Sequence, residues 1–387
     1  MNVTANSINA NPITIGFGVC PVFIGENALQ LLPDFLIEKK YHQKQVFILV
    51  DKNSGKNCLP ILNRACSGID GFANWKIIQI AGGEQNKDIK AVVFIWNKLL
   101  AYGADRKSLL INLGGGVIGD AGGFAASTYK RGIDFINIPT TLLSQVDASV
   151  GGKTGVNLGG LKNQVGVFNN PKAVFITPVF LKTLNKRNIL SGYAEVIKHA
   201  LIADKSYWEV IKKLDLKKKK QDSTTWVSVI ERSVKIKNKI VEKDPKEDGL
   251  RKTLNFGHTI GHALESCFLR NNSRALLHGE AIAAGMICEA FIATKLVGLS
   301  PRELNEITSY IIPAFGKAPV NRADHAQLIS FIKNDKKNES GVMKFTLIDR
   351  IGHALINQDT DKKLIEESLL YYSKLKVTQQ QRITNKD

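Results

Sequence analysis

A chain of 387 residues exceeds one ordinary domain and is long enough to bury more than one core. Apolar residues make up 44% and charged residues 23%, and no apolar run approaches the roughly 18 residues of a membrane helix, so a helical membrane protein is excluded. The formal charge of +18 admits a nucleic acid, a membrane surface or an anionic small substrate as partner and does not choose among them.

The amino terminus, MNVTANSINANPITIGFG, has neither the charged start nor the apolar stretch of a secretory signal and reads as a short lead-in, which makes a cytoplasmic location the expectation. Cys20, Cys58, Cys66, Cys267 and Cys288 are odd in number and contain no C-x-x-C pair, which argues against a disulfide framework and against thiolate zinc. Short β-branched runs then alternate with amphipathic stretches: VFILV ending before Asp51, WKIIQIA before Gly82, LLINL before Gly114, DFINIP before Thr140 and AVFIT ending at Thr177. Between them Lys87 to Gly103 carries Ile89, Val92, Val93, Trp96, Leu99 and Leu100 at helical spacing. The pattern predicts an α/β domain with a mostly parallel sheet over residues 1–177. Beyond it strand signals nearly vanish, and residues 178–387 read as a mainly α-helical domain. Its helices are expected around Asn188 to Ala203, Thr224 to Val241, Leu254 to Leu269, Glu280 to Val297 and Asp324 to Asn334, with one late hairpin at Val342 to Ile348. The basic run Lys217 to Lys220 has no interleaved aromatics and reads as a solvated loop.

Several segments carry chemistry. LLINLGGGVIGD sets three glycines between a buried strand and a helix, where backbone amides can approach a pyrophosphate without obstruction by Cβ atoms; tight helix packing is the alternative. It is not the G-x-G-x-x-G pattern, and the acidic strand end, Asp51, precedes the glycines. GGEQNK, from Gly82 to Lys87, is a second glycine turn after a strand, with Glu84 and Lys87 as candidate cofactor contacts or as a plain helix-start carboxylate and a solvated lysine. PTTLLSQVDASVGGKTGVNLGGLKNQVG, holding Thr140, Thr141, Asp147, Lys153, Lys162 and Asn163, reads as a loop built around a ligand, its lysines serving as point charges for phosphate or carboxylate. In LNFGHTIGHALES a helix would set His258 and His262 on one face, as a metal pair or, on this spacing alone, as a plain packed or solvated pair, and His278 and Glu195 supply further nitrogen and oxygen donors. Two imidazoles and a carboxylate are a catalytic, not a structural, zinc set, since a position stays open; HExxH is absent, which argues against a zincin-type protease.

Taken together, GGGVIGD, IPTTLLSQVDASVGGKTGVN, GLKNQVGVF, GYAEVIKH, GLRKTLNFGHTIGHALE, LHGEAIAAGM and DKKNESG resemble the 3-dehydroquinate synthase family in order and spacing, over roughly Ile15 to Leu370. The resemblance implies an NAD-binding α/β domain followed by a helical metal-binding domain, in a homodimeric enzyme; from the basic run without aromatics and the lack of a long apolar run, neither a nucleic-acid nor a membrane partner is expected. The implied reaction turns 3-deoxy-D-arabino-heptulosonate 7-phosphate into 3-dehydroquinate and phosphate by transient oxidation with NAD, phosphate elimination, re-reduction and intramolecular aldol closure. It assigns a divalent metal, zinc or cobalt, to Glu195, His258 and His278, and turns His262 to the substrate phosphate. It assigns NAD to Asp51, Gly82, Gly83, Glu84, Lys87, Gly115, Gly116, Val117, Asp120, Thr140, Thr141, Lys153, Lys162, Phe180 and Thr183. Phosphate falls to Lys153, Asn163, Asn255, His262 and Lys336, with Arg131 reaching across the dimer. The substrate carboxylate falls to Arg251 and Lys237, and the hydroxyls and ordered water to Asp147, Lys198 and Glu247. The rivals are a sister cyclase acting on a sugar phosphate without the carboxylate, for which Arg251 and Asn255 are the discriminating positions, and a polyol dehydrogenase that releases NADH. From another class, a basic nucleic-acid binder would use Lys212 to Lys220.

Overall fold

The computed structural model describes residues 12–16, 20–159, 161–214, 222–269, 275–333 and 343–376. The chain divides into two compact units, one made of the residues through Thr183 together with Asp222–Glu231, the other of Leu184–Gln221 and everything from Arg232 onward.

The first unit is built on β1 (Ile13–Ile15), β2 (Val22–Ile24), β3 (Val46–Asp51), β4 (Lys76–Ile80), β5 (Leu109–Gly114), β6 (Asp134–Pro139) and the later β9 (Val174–Ile176). They form one sheet in the order β1-β2-β9-β6-β5-β3-β4. Every pairing is parallel except β1 with β2. The continuous apolar runs are explained by burial on both faces. Ile48 and Val50 of β3 join Leu109, Ile111, Ile136 and Phe175 under α1 (Leu32–Glu38) and α3 (Leu59–Cys66), while Phe47 and Leu49 join Leu110 and Phe135 on the other face. That second face is covered by Val92, Ile95 and Leu99 of α4 (Ile89–Ala101) and Ile118, Ala121 and Ala125 of α5 (Gly116–Thr128); α2 (Lys52–Asn57) follows β3 directly. The chain steps from β3 outward to β4 and then back to β5 on the other side of β3, a topological switch point of the kind beside which ligands bind in open parallel sheets.

The glycine-rich stretch after Thr140 departs from the loop expected of it. It holds a π-helical turn, Ser144–Ala148, and then an antiparallel hairpin of β7 (Lys153–Leu158) and β8 (Leu161–Phe168). Glycine content hid the hairpin: Gly155 and Gly166 face each other across it, so closely that neither has room for a side chain.

The second unit contains α6 (Lys186–Ala203), α7 (Lys205–Ile211), α8 (Ser223–Lys243, assigned here from Arg232), α9 (His258–Leu269), α10 (His278–Leu296), α11 (Pro301–Phe315), α12 (His325–Lys333), the antiparallel pair β10 (Met343–Arg350) and β11 (His353–Thr360), and α13 (Lys362–Lys374). The helix expected from Leu254 begins at His258, because Leu250–Asn255 is a 3-10 turn and Gly257 takes φ of 79°. Helix α10 is buried all round from Ala281 to Ala290, as an Ala-rich stretch without a polar stripe must be. Lys217 to Lys220 and Lys336 lie outside the described residues. Among the described residues no helix is long and apolar enough to cross a membrane.

Candidate active site

In the first unit the candidate residues gather at the carboxyl ends of the parallel strands. Asp51 closes β3 and caps α2, its Oδ1 accepting from the amides of Asn53 at 2.7 Å and Ser54 at 2.9 Å. Gly82, after β4, lies so close to Asp51 that a Cβ there would sit 3.3 Å from the Asp51 Cβ. Gly115 caps α5 without a side chain, and the Thr140 amide donates to the Gly114 carbonyl at 2.9 Å, which brings the β5 and β6 ends together. A hollow between them is lined by Gly114, Gly115, Gly116, Gly119, Pro139 and Ala148, among others. Val117 follows on α5, and Thr141 packs its methyl against Gly115.

Lys87 organises the neighbouring polar group. It is buried, pairs with Asp120 and donates to Asn163 Oδ1 at 2.7 Å. Lys162 stands 3.6 Å from Glu84, and Asn157 of β7 donates to Glu84 Oε1 at 3.0 Å while its own Oδ1 accepts from the Asn163 amide at 2.9 Å. Asn157 was missed by sequence reasoning because its role depends on the hairpin. Asn163 and Arg131 hold left-handed backbone, φ 51° and 72°, a conformation that non-glycine residues adopt at a cost and that clusters at functional sites. Lys153 opens β7, exposed, and Asp147 lies in the π-helical turn. Phe180 is separate from these: its side chain is fully buried in the sheet core, whereas Thr183, three residues on, is exposed and donates to the Phe180 carbonyl at 2.7 Å.

In the second unit three helices converge. Glu195 of α6 is fully buried, with Oε1 3.2 Å from His278 Nε2 and 3.5 Å from His258 Nε2, and it pairs with the buried Lys198 one turn on. One donor atom each from Glu195, His258 and His278 lies within 4.8 Å of the others, a convergence of two imidazoles and a carboxylate whose chemistry fits a divalent cation. His258 Nδ1 donates to the Phe256 carbonyl at 3.1 Å, which leaves Nε2 as the lone-pair nitrogen on the Glu195 side. The His262 ring is 5.1 Å from that of His258 and 6.1 Å from that of His278. Glu265, three residues beyond His262, reaches His278 Nδ1 at 3.4 Å. It too escaped the sequence reading, although His258, His262 and Glu265 sit at i, i+4 and i+7, one face of α9. Burial alone works to lower the His278 pKa, but hydrogen bonds to Glu195 and Glu265 outweigh it and push the imidazole up to about 9.

A second polar knot precedes α9. Asp244 accepts from the amides of Asp248 at 3.0 Å, Gly249 at 2.8 Å and Arg251 at 2.9 Å, and although burial opposes its charge these donors hold the carboxyl below its usual range. The turn so formed buries Arg251, whose Nη1 donates to the Pro245 carbonyl at 2.6 Å, and sets Glu247 at φ 67° to accept from Asn255 at 2.9 Å. Lys237 is buried on α8.

Comparison with known proteins gives the class first. The fold is that of the sugar-phosphate cyclases: 2-deoxy-scyllo-inosose synthase complexed with carbaglucose-6-phosphate, NAD+ and Co2+ superposes with a TM-score of 0.79 at 23% identity over 93% of this chain and 99% of its own. ValA, the 2-epi-5-epi-valiolone synthase of Streptomyces hygroscopicus subsp. jinggangensis with NAD+ and Zn2+ bound, gives 0.75 at 26% identity over 85% and 90%. A family model described as 3-dehydroquinate synthase N-terminal matches residues 77–191, and one described as 3-dehydroquinate synthase C-terminal matches residues 192–338. The 3-dehydroquinate synthase of Parabacteroides distasonis is 45% identical over 342 residues, 88% of this chain and 94% of that protein. The chain belongs to the 3-dehydroquinate synthase family and is an enzyme of that family.

Proposed function

We propose that the chain closes 3-deoxy-D-arabino-heptulosonate 7-phosphate to 3-dehydroquinate with release of phosphate, using NAD and a divalent metal, zinc before cobalt, as a cytoplasmic homodimer in aromatic amino acid biosynthesis. The observation that carries this is the convergence of Glu195, His258 and His278 in a chain of this family. In this reading residues 1–177 bind NAD and residues 178–387 hold metal and substrate. Bound NAD supplies a hydride acceptor recovered within each turnover, and a bound divalent ion supplies a Lewis acid.

The chain's own residues do the rest. The amides opening α5 and the Gly82–Lys87 turn receive the dinucleotide phosphates, with Asp51, Glu84, Asp120, Thr140, Thr141, Lys162 and Thr183 around them. In this reading the departing phosphate falls to Lys153, Asn163 and the partner-directed Arg131 from the first unit and to Asn255, His262 and Lys336 from the second, the cationic groups offsetting its charge and the asparagine amides donating to it. Arg251, held by its bond to the Pro245 carbonyl, presents a planar fork to the substrate carboxylate beside Lys237, which selects this substrate over sugar phosphates that lack one. Asp147, Lys198 and Glu247 orient the hydroxyls and water. Five free thiols suit a reducing compartment.

The test is turnover with NAD and Co2+ or Zn2+, following phosphate, 3-dehydroquinate and NADH together. Equal phosphate and 3-dehydroquinate without NADH accumulation, lost in Glu195→Ala, is the expected result. Phosphate release from sedoheptulose 7-phosphate but not from the heptulosonate overturns the substrate assignment, and accumulating NADH overturns the mechanism.

A further inference from the structure

Helix α9 begins without a side-chain cap of its own, since the residue before His258 is Gly257. The missing partner comes from another helix. Glu289 of α10 is fully buried, and its Oε2 accepts from the Gly257 amide at 2.6 Å while Oε1 accepts from the Ile260 amide at 3.0 Å. These two amides bracket His258, and the same turn fixes the His258 ring through the bond from Nδ1 to the Phe256 carbonyl.

Glu289 follows His278 by eleven residues, three helical turns, and therefore lies on the same face of α10. The two helices are thus tied twice in opposite senses: α9 sends Glu265 to His278, and α10 sends Glu289 to the turn that carries His258. Beside the second tie the Gly257 and Gly285 backbones meet, with no room for a side chain on either. A carboxylate buried this completely is unfavourable unless its oxygens are bonded, and an apolar residue would fill the space without that penalty. A helix N-terminus is where a fixed negative charge gains most.

We propose that Glu289 is a positioning residue for the metal site, setting His258 at its distance from Glu195 and His278 by gripping the backbone on both sides of it. This rests on the reading of Glu195, His258 and His278 as a metal-holding set. Nothing is transferred to or from Glu289; it acts through the turn it holds.

The test uses the full chain with Co2+ as probe, measuring affinity by chelator competition and ligand geometry by the visible spectrum. Glu289→Gln, which keeps the shape but only one acceptor oxygen, is expected to bind one Co2+ per chain about 10- to 100-fold more weakly, with an altered spectrum, the loss typical when a group orienting a ligand is removed. Glu289→Ala is expected to lose more. A lower melting temperature with unchanged Co2+ affinity and spectrum overturns the proposal, because capping alone would do that. Amide exchange on the wild-type chain stands apart from any folding failure of the variants: slow exchange at Gly257 and Ile260 is expected, and fast exchange at both overturns the proposal. If wild type binds no Co2+, or Glu195→Ala binds it equally well, the metal-site reading falls and this proposal with it. If that control behaves and Glu289→Gln is unaffected, only the role of Glu289 falls.

Discussion

His278 carries the sharpest electrostatic consequence at the scale of one residue. With its pKa at about 9 against an ordinary 6.5, the imidazolium is stabilised by folding. That contribution is complete below 6.5 and is lost as pH rises through 9, so in chelator the melting temperature should fall across this window. Metal binding must displace the same proton, so Co2+ affinity should rise over the same range and the fall should shrink or reverse in excess Co2+. Scanning fluorimetry with and without chelator separates the two, and a pH-independent melting temperature in chelator refutes the shift. The thiols make a second residue-scale case. Burial pushes Cys20 and Cys66 up to about 12 and Cys58 up to about 11, and raises Cys288 further, whereas Cys267 is half-buried. Iodoacetamide at about pH 8 should therefore label Cys267 first on the native chain, as read by peptide mass spectrometry. At this scale the sequence offers Lys87 through its glycine turn, His258 through its helical spacing to His262 and Glu195 as a further oxygen donor, whereas Asp120 is a candidate through the family resemblance alone. Asn157, Glu265 and Glu289 were not legible, because each matters through a residue on another element that only folding brings close.

At the scale of elements, the strands of the parallel sheet were readable because burial on both faces forces continuous apolar runs such as VFILV and LLINL. The β7–β8 hairpin was not, because the glycines that let its strands approach closely are the ones that erase strand propensity. Helix contacts obey the same logic. Gly279 opens α10 against α6, where its amide donates to Ser191 Oγ at 3.0 Å and an added Cβ would run into the Ser191 backbone. Gly279→Ala should destabilise by about 1–3 kcal/mol, as overpacking does, and should weaken Co2+ binding because Glu195 lies one turn beyond Ser191. Urea titration and chelator competition check the two effects, and a stable variant with normal metal affinity would show that α6 and α10 tolerate separation.

For the whole molecule, the proposed homodimer makes a prediction that monomers cannot meet. If Arg131 completes the partner's site, Arg131→Ala and Glu195→Ala are each inactive alone, yet subunits exchanged between them assemble one intact site per mixed dimer. Activity near roughly a quarter of wild type is then expected after equimolar exchange, since half the dimers are mixed and half their sites whole. No recovery after verified exchange places Arg131 in its own subunit's site or outside catalysis.

The first unit is not one stretch of chain. It takes the residues through Thr183 and then Asp222–Glu231, with Leu184–Gln221 given to the second unit in between. During synthesis the ribosome therefore delivers the start of the helical unit, α6 with Glu195 included, before the strip that completes the sheet unit. The residues of the two units therefore leave the ribosome in interleaved order, not one unit after the other. A gene fragment cut at Thr183 carries every strand of the seven-stranded sheet but lacks Asp222–Glu231, so its stability beside that of a fragment running through Glu231 measures what the strip contributes.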